Sequence, residues 1–494
     1  MKKTFIIAFL ALALTACENL QQPAYIFTIQ NEAVYISVYE TEGIVIDRNI
    51  TLFSSFRWSM HIPEDLEQYI SVDILPKNLG QPEADVLVVV PNTQKIKEDL
   101  WQMDNQLLGT IEFFANDQSL KCDIYIADGT EILPYFIANQ AHFNNVRKYP
   151  AAHYTLIKDV TLDKWQPIGG GDGATTREEF TGSISGNNHV VTLNSFENVR
   201  PWNDNLNRTF YYYGLLGCIG EGGAVKNLSL NINWPQINLP ADAQGDHIIA
   251  CAGGIAGANY GAIAHCAVIG DIMMNWDNGH DAYAGGIAGW NQGPITQCAV
   301  KGDITLDLVS GTYAYAGGIA GSNHSDIINV YALGDVSIQG GDYCHAGGIA
   351  GNNNFLAGLN YYGSITNAYA TGTVFSNGAE DYAGGITGLN NTDCSIEACV
   401  ALNTSVSIGS YPFFGRRIVG YNSGTLKNNY AYETMEGSAW GSSDIGTDKV
   451  NGADCSLQPT EEWWSNTIDW GGHDWDFLNT WIFTNQPQLR GLPL

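Results

Sequence analysis

Positive charge is what this sequence has least of. Its 494 residues hold 22 Lys+Arg against 51 Asp+Glu, a formal net of −29, and no basic block. A chain so poor in cations cannot neutralise a phosphate backbone, so nucleic acid is excluded as a partner. Charge of either sign is thin, at 15% of residues, where about 25% is usual. No Cys-x-x-Cys pair occurs, which leaves structural zinc and dithiol redox chemistry without support. His-Glu-x-x-His and Gly-x-Ser-x-Gly are absent as well, removing the commonest zinc-peptidase and serine-hydrolase signatures. Long segments of helical periodicity are missing too. What is abundant is glycine, 55 of 494 residues, together with 45% hydrophobic and 11% aromatic residues. Glycine is costly inside helices and useful in turns, so the composition suits a folded, turn-rich β architecture.

The first twenty residues, MKKTFIIAFLALALTACENL, run from Lys2 and Lys3 through an apolar stretch to Leu14-Thr15-Ala16-Cys17. The apolar run is short for a membrane span and has the build of a secretory signal. Leu-Thr-Ala-Cys resembles the lipobox of bacterial lipoproteins. That resemblance implies cleavage before Cys17, acylation of Cys17, and attachment to a membrane through the lipid. Removing residues 1–16 takes away two lysines and no acid, so 20 basic against 51 acidic residues leaves −31. Anionic lipid headgroups would repel such a chain, so the lipid itself is the expected attachment. Nine cysteines remain, and three of them, Cys266, Cys298 and Cys399, fall at equivalent positions of a repeat, as expected of small buried side chains.

The repeat organises the middle of the chain. AGGIAGANYGAIAHCAVIGDI begins at Ala252, AGGIAGWNQGPITQCAVKGDI at Ala284 and AGGIAGSNHSDIINVYALGDV at Ala316. Further copies begin at Ala346, Ala383 and, degenerate, Gly415. Their central isoleucines, Ile255, Ile287, Ile319, Ile349, Ile386 and Ile418, are 32, 32, 30, 37 and 32 residues apart. A fixed period of this size marks a repeat architecture. Short apolar segments divided by Asn and Gly-Asp turns predict two or three short strands per coil, stacked about 4.8 Å apart as a parallel β-helix. Stacking would align Asn259, Asn291, Asn323, Asn353, Asn390 and Asn422 into a hydrogen-bonded ladder. The fold class expected is therefore all-β, with a β-sandwich ahead of a β-helix.

Gly-Gly-Ile-Ala-Gly-x-Asn-x-Gly-x-Ile-x-x-Cys-Ala-x-x-Gly resembles the GLUG motif, a repeat of bacterial surface proteins that include adhesins and immunoglobulin A peptidases. Ahead of it, strand-like runs at Ala84 to Val90, Gly109 to Phe114 and Lys121 to Ile126 predict a β-sandwich. Its order, with Phe56-Arg57-Trp58-Ser59 and a strand ending Pro91-Asn92, weakly resembles the BACON-type domain of Bacteroidetes proteins, which implies glycan or mucin binding or a spacer. Its end departs from that pattern, reading Ala127-Asp128-Gly129. The organisation expected is a signal peptide over 1–16, a lipidated linker over 17–24, the sandwich over 25–130, and the β-helix over 131–435. Within the β-helix, lead-in coils occupy 131–214 and repeats 215–435, and a Trp-rich cap over 436–494 closes the chain. Trp475, Phe477, Trp481 and Phe483 supply the aromatic load expected to cover the last coil.

No catalytic constellation stands out. Asp271, Asp303 and Asp335 recur once per coil, where a Ca²⁺ is conceivable but turn-capping carboxylates are the plainer reading; no other cofactor is expected. Tyr283, Tyr315 and Tyr382 share one repeat position, as an inward or edge-packed aromatic ladder would. Trp276, Trp290, Tyr260, Tyr313, Tyr361 and Tyr362 fall in loop-like positions where exposed rings could stack on sugars. The reading is a lipoprotein of the bacterial cell envelope, at the outer membrane and surface-exposed, acting in adhesion or in binding glycan, mucin or host matrix protein. A polysaccharide-degrading enzyme or its accessory subunit, and a structural envelope protein, are the alternatives.

Overall fold

The computed structural model describes residues 27–492 apart from 30–32, 37–48, 55–56, 76–83, 93, 97–106, 128, 132–133, 172–176, 198, 235, 239–246, 277–280, 309–312, 357–360, 410–414, 438–441 and 468–469. Cys17 and the signal segment lie outside the described residues. The chain forms two compact units, Met1–Tyr135 and Phe136–Leu494.

The first unit is a β-sandwich of two four-stranded sheets. One sheet orders Phe27–Ile29, Asn49–Ser54, Ala84–Pro91 and Ile70–Ile74. The other orders Ala33–Ile36, Gln118–Ile126, Leu107–Ala115 and Ser59–His61. Period-two alternation turns Leu52, Leu87, Val89, Ile111, Phe113, Ile124 and Ile126 into a shared core. The two sheets are also tied by Trp58 Nε1, which donates to Asp85 Oδ2 at 2.8 Å.

The second unit is a parallel β-helix whose repeat coils carry four or five strands, where the sequence predicted two or three. One coil comprises His247–Gly253, Ala256–Asn259, Ala262–Ala264, Ala267–Ile269 and Ile272–Trp276. The next repeats it as Asp281–Gly285, Ala288–Asn291, Ile295–Thr296, Ala299–Lys301 and Ile304–Leu308, each strand parallel to its counterpart. The extra corners have a local cause. His265, Gln297, Asn329, Asn367, Ala398 and Asn428 all take positive φ, between 51° and 55°, and this left-handed residue turns the apolar segment, separating two strands in most coils and lying within Asp326–Leu333 and Ser364–Ala370 in the other two. Ala398 holds that conformation without an Asn side chain, so the stack imposes it.

The interior is ladders. Ile255, Ile287, Ile319, Ile349, Ile386 and Ile418 are all fully buried, as are Cys266, Cys298 and Cys399. All nine described cysteines are free thiols. Each Asn Nδ2 donates to the Asn Oδ1 one coil on, at 2.8, 2.8, 2.9, 2.8 and 2.7 Å from Asn259 through Asn422. Five links in a dry interior satisfy polar groups that would each cost about 1–3 kcal/mol unpaired.

The two ends of the solenoid close in different ways. At the start, the helix Gln140–Asn145, capped by the Asn139 side chain on His142 N, sets Phe143 edge-on against Trp165 at 5.5 Å. At the far end, Ala453–Cys455 pairs with Tyr430–Tyr432, and Ile418 N donates to Val450 O at 3.0 Å. The Trp-rich tail begins on this last coil, where Trp463 and Trp470 stand edge-on to Tyr430 at 5.2 and 5.4 Å. It runs back along the flank: Trp464, Trp470, Trp475 and Trp481 pack with Tyr331, Tyr369 and Val400. Trp481 Nε1 then reaches Asn329 Oδ1 at 3.2 Å, and Arg490 O lies 2.8 Å from His265 Nε2. Those partners are the left-handed corner residues, whose side chains project from the coil as a row that the tail can follow.

Arg417 replaces the second glycine of the motif in the final copy and fills the place of a further coil. It is 1% exposed and donates to Asp454 Oδ1 at 2.8 Å and to the carbonyls of Tyr432 and Gly452, both at 3.2 Å. Arg417→Ala leaves two carbonyls without donors and a cavity, and is expected to cost about 3 kcal/mol in denaturant unfolding. Arg417→Met fills most of that volume and is expected to cost less.

Candidate functional site: the outer aromatic face

The tyrosines, expected as an inward or edge-packed ladder, pack against one another on the face turned away from the alanines, with Tyr283 6% exposed. In Asp281–Gly285 and its copies the alanines Ala282, Ala284, Ala314 and Ala316 are fully buried. The alternate residues Tyr313 and Tyr343 are 37% and 39% exposed. Tyr283, Tyr315, His345 and Tyr382 therefore share the outer face with them, since strand residues two apart point the same way. The cause is space. A Cβ on Gly289 would sit 2.6 Å from Ala252 N, and one on Gly321 would sit 2.7 Å from Ala284 N. First and second strands are that close inside, so alanine fits there and a ring does not.

The rings form one stripe along the solenoid. Tyr283 stands 5.1 Å from Tyr315, Tyr315 4.6 Å from His345, His345 5.0 Å from Tyr382, and Tyr382 5.3 Å from Tyr421. Tyr313 and Tyr343 stack at 5.3 Å beside this row. Trp290, on the second strand, meets Tyr283 edge-on at 5.4 Å and His324 at 4.5 Å. Tyr421 occupies the same register position as Trp290 and is 44% exposed.

Polar groups border the stripe. Asp281 accepts Tyr313 N at 3.2 Å and holds His247 Nε2 at 2.9 Å. Burial pushes the imidazoles of His324 and His345 down to about 3, so both are neutral in the folded protein. Burial likewise pushes the Tyr283 and Tyr315 phenols up. At one end Arg177 stacks on Trp202 at 5.3 Å and on Tyr260 at 4.2 Å, with its charge met by Glu179.

Of the residues picked out in sequence, Trp290 and Tyr313 belong to the stripe, Trp290 within a strand and not a loop. Tyr260 joins its end half-buried beneath Arg177. Tyr361 and Tyr362 do not join it. They sit on a separate hairpin with Phe355–Leu356, 40% and 44% exposed. Trp276 ends the strand Ile272–Trp276, and its side chain lies outside the described residues. Asp271 Oδ1 accepts Asp303 N at 2.8 Å, Asp303 Oδ1 accepts Asp335 N at 2.8 Å, and Asp335 Oδ1 accepts Thr373 N at 2.7 Å. These carboxylates tie each turn to the next coil. Among the described residues, no three His, Cys, Asp or Glu side chains converge as metal ligands would. Tyr343, Tyr421, His324 and Asn352 escaped the sequence reading. Aligning the x of Ala-Gly-x-Asn across copies would have found Tyr421 and Asn352.

Fold and site together define a closed parallel β-helix with an aromatic outer face. No protein-family model matches the chain. Over 151 residues, 28% of the chain, it is 34% identical to a protein of Evansella cellulosilytica provisionally described as a Gly-rich membrane protein. Over 128 residues, 24% of the chain, it is 27% identical to halomucin of Haloquadratum walsbyi. These matches span 15% and 1% of the two relatives' lengths. A solved structure from Bacteroides ovatus, provisionally described as an immunoglobulin A1 protease, is similar over 74% of this chain and 94% of that one, with a TM-score of 0.43 and 20% identity.

Proposed function

We propose that this chain is a lipoprotein of the bacterial cell envelope, anchored through Cys17, whose GLUG-like β-helix binds carbohydrate on its outer aromatic face without cleaving it. The observation that carries the reading is the stripe itself. Tyr313, Tyr343 and Tyr421, each more than a third exposed and held by the stack beneath, offer a preformed aromatic surface at little entropic cost. The BACON-like sandwich serves as a stalk between lipid and solenoid. The membrane-protein description of the Evansella relative agrees with an envelope location. Among the described residues no helix is long and apolar enough to cross a membrane.

A glycan array probed with the intact protein is expected to give binding that Trp290→Ala and Tyr313→Ala each weaken, while Tyr361→Ala leaves it unchanged. Loss of one stacked ring corresponds to about 0.5–1.5 kcal/mol, or up to about tenfold in Kd. A blank array would overturn the binding reading, and shortening of a bound polymer would make the protein an enzyme. In cell fractionation, Cys17→Ala is expected to release the protein from the membrane. A variant that stays membrane-bound contradicts the anchor.

A further inference from the structure

The chemistry around the stripe narrows what it can hold. We propose that the outer face takes a neutral, linear polysaccharide laid along the solenoid axis, and discriminates against acidic ones. This rests on the carbohydrate-binding reading above and adds the class of polymer.

Charge is the first argument. By strand register the acids Asp281 and Glu380 lie on this face, and the arginines and Lys427 of the coils are engaged by carboxylates. From 250 to 432 the basic residues are Lys301, Arg416, Arg417 and Lys427. Lys301 lies on the fourth strand of its coil, away from this face. Arg416 pairs with Asp444, Arg417 with Asp454 and Lys427 with Glu397. At the near end Arg177 is met by Glu179 and Arg208 by Asp204. A polyanion laid along the stripe would meet like charge without compensation.

Hydrogen-bonding capacity is the second. Trp290 Nε1, His324 Nδ1, His345 Nδ1 and Asn352 Oδ1 have no partner among the described residues. His324, His345 and Asn352 are 1%, 6% and 2% exposed. All four groups are uncharged, the histidines because burial keeps them neutral. His324 stacks on Trp290 at 4.5 Å and His345 on Tyr315 at 4.6 Å, so these groups sit within the stripe, where an ordered water held by a sugar hydroxyl would supply the missing partner. A hydroxyl both donates and accepts, as this mixed set requires.

Geometry is the third. Trp290, Tyr313, Tyr343, Tyr382 and Tyr421 stand on five successive coils. At about 4.8 Å per coil they span about 19 Å, a length that suits a chain polymer and exceeds a single sugar.

The test is affinity electrophoresis of the full chain in gels containing a neutral β-glucan, a neutral mannan, or polygalacturonate of matched length. Retardation by a neutral polymer is expected, insensitive to salt, with Kd raised about tenfold by Tyr343→Ala. Asp342→Lys combined with Glu380→Lys is expected to create polygalacturonate binding that salt abolishes. Tyr343→Leu provides a second stripe variant, and unchanged circular dichroism melting certifies both. Tighter binding of polygalacturonate by the unaltered protein overturns the inference and leaves carbohydrate binding standing. Retention by none of the three polymers removes both.

Discussion

Gly317→Ala is expected to split the solenoid. Gly317 closes the first strand of its coil, and a Cβ there would lie 2.6 Å from Ala350 Cα and overlap the carbonyl oxygen of Ala320. Both obstacles are backbone, so no rotamer change relieves them. Moving them apart would separate coils that exchange hydrogen bonds on either side, such as Ile319 N to Ile349 O at 2.8 Å. Overpacking a core with side-chain atoms usually costs about 1–3 kcal/mol. A clash against the backbone of the next coil belongs to the rare class above about 4 kcal/mol. The effect should be local as well as large, because each coil of a solenoid contacts only its neighbours. Hydrogen exchange is expected to show lost protection on both sides of Gly317, with the β-sandwich unaffected. Uniform protection in a fully soluble variant would show that the coils can part by an ångström without penalty.

Stability is expected to fall as the pH drops from 6.5 to 5, more steeply than carboxylates would cause. His324 and His345 are held to about 3 in the folded protein by burial, against 6.5 for an unburied imidazole. Below 6.5 the unfolded chain binds protons that the folded chain refuses. Their contribution to stability is therefore intact above 6.5 and is lost progressively as the pH falls towards 3. Each histidine adds a slope that approaches about 1.4 kcal/mol per pH unit below 6.5, so the pair accounts for about 3 kcal/mol over this window. Burial pushes the Asp381 carboxyl the other way, upward, so its protonation favours the folded state at the acid edge of the window. The neighbouring coils supply neutral replacements: asparagine at the place of His324, as in Asn354, and tyrosine at the place of His345, as in Tyr315 and Tyr382. The combination of His324→Asn and His345→Tyr is expected to flatten the slope, measured by urea unfolding at successive pH values. An unchanged slope would mean that the two imidazoles take up protons in place.

Much of this architecture was legible because the repeat is local information. The spacing of Ile255, Ile287 and Ile319 and the recurring Asn announced a stack with an asparagine ladder, and the runs around Val86, Ile111 and Ile124 announced a sandwich. The direction of the tyrosine row was not legible. Hydrophobicity favours turning Tyr283 into the coil and Ala282 away from it; the structure turns Ala282 inward and packs Tyr283, itself buried, on the opposite face, because glycines on the facing strand bring two backbones too close for a ring. That constraint joins residues in different coils and leaves no mark in a single copy. The path of the tail was hidden for the same reason. Trp481 finds Asn329, 152 residues away, along a row of left-handed corners that a linear reading sees only as scattered Asn, Gln, His and Ala.

The central claim, that the outer stripe is where this protein meets its ligand, is tested most directly by hydroxyl-radical footprinting with and without a saturating neutral β-glucan. Protection is predicted at Tyr313, Tyr343, Tyr382 and Tyr421, with Tyr361 and Tyr362 labelled equally in both samples. Protection confined to that hairpin or to the sandwich, with the four stripe tyrosines unchanged, would contradict it.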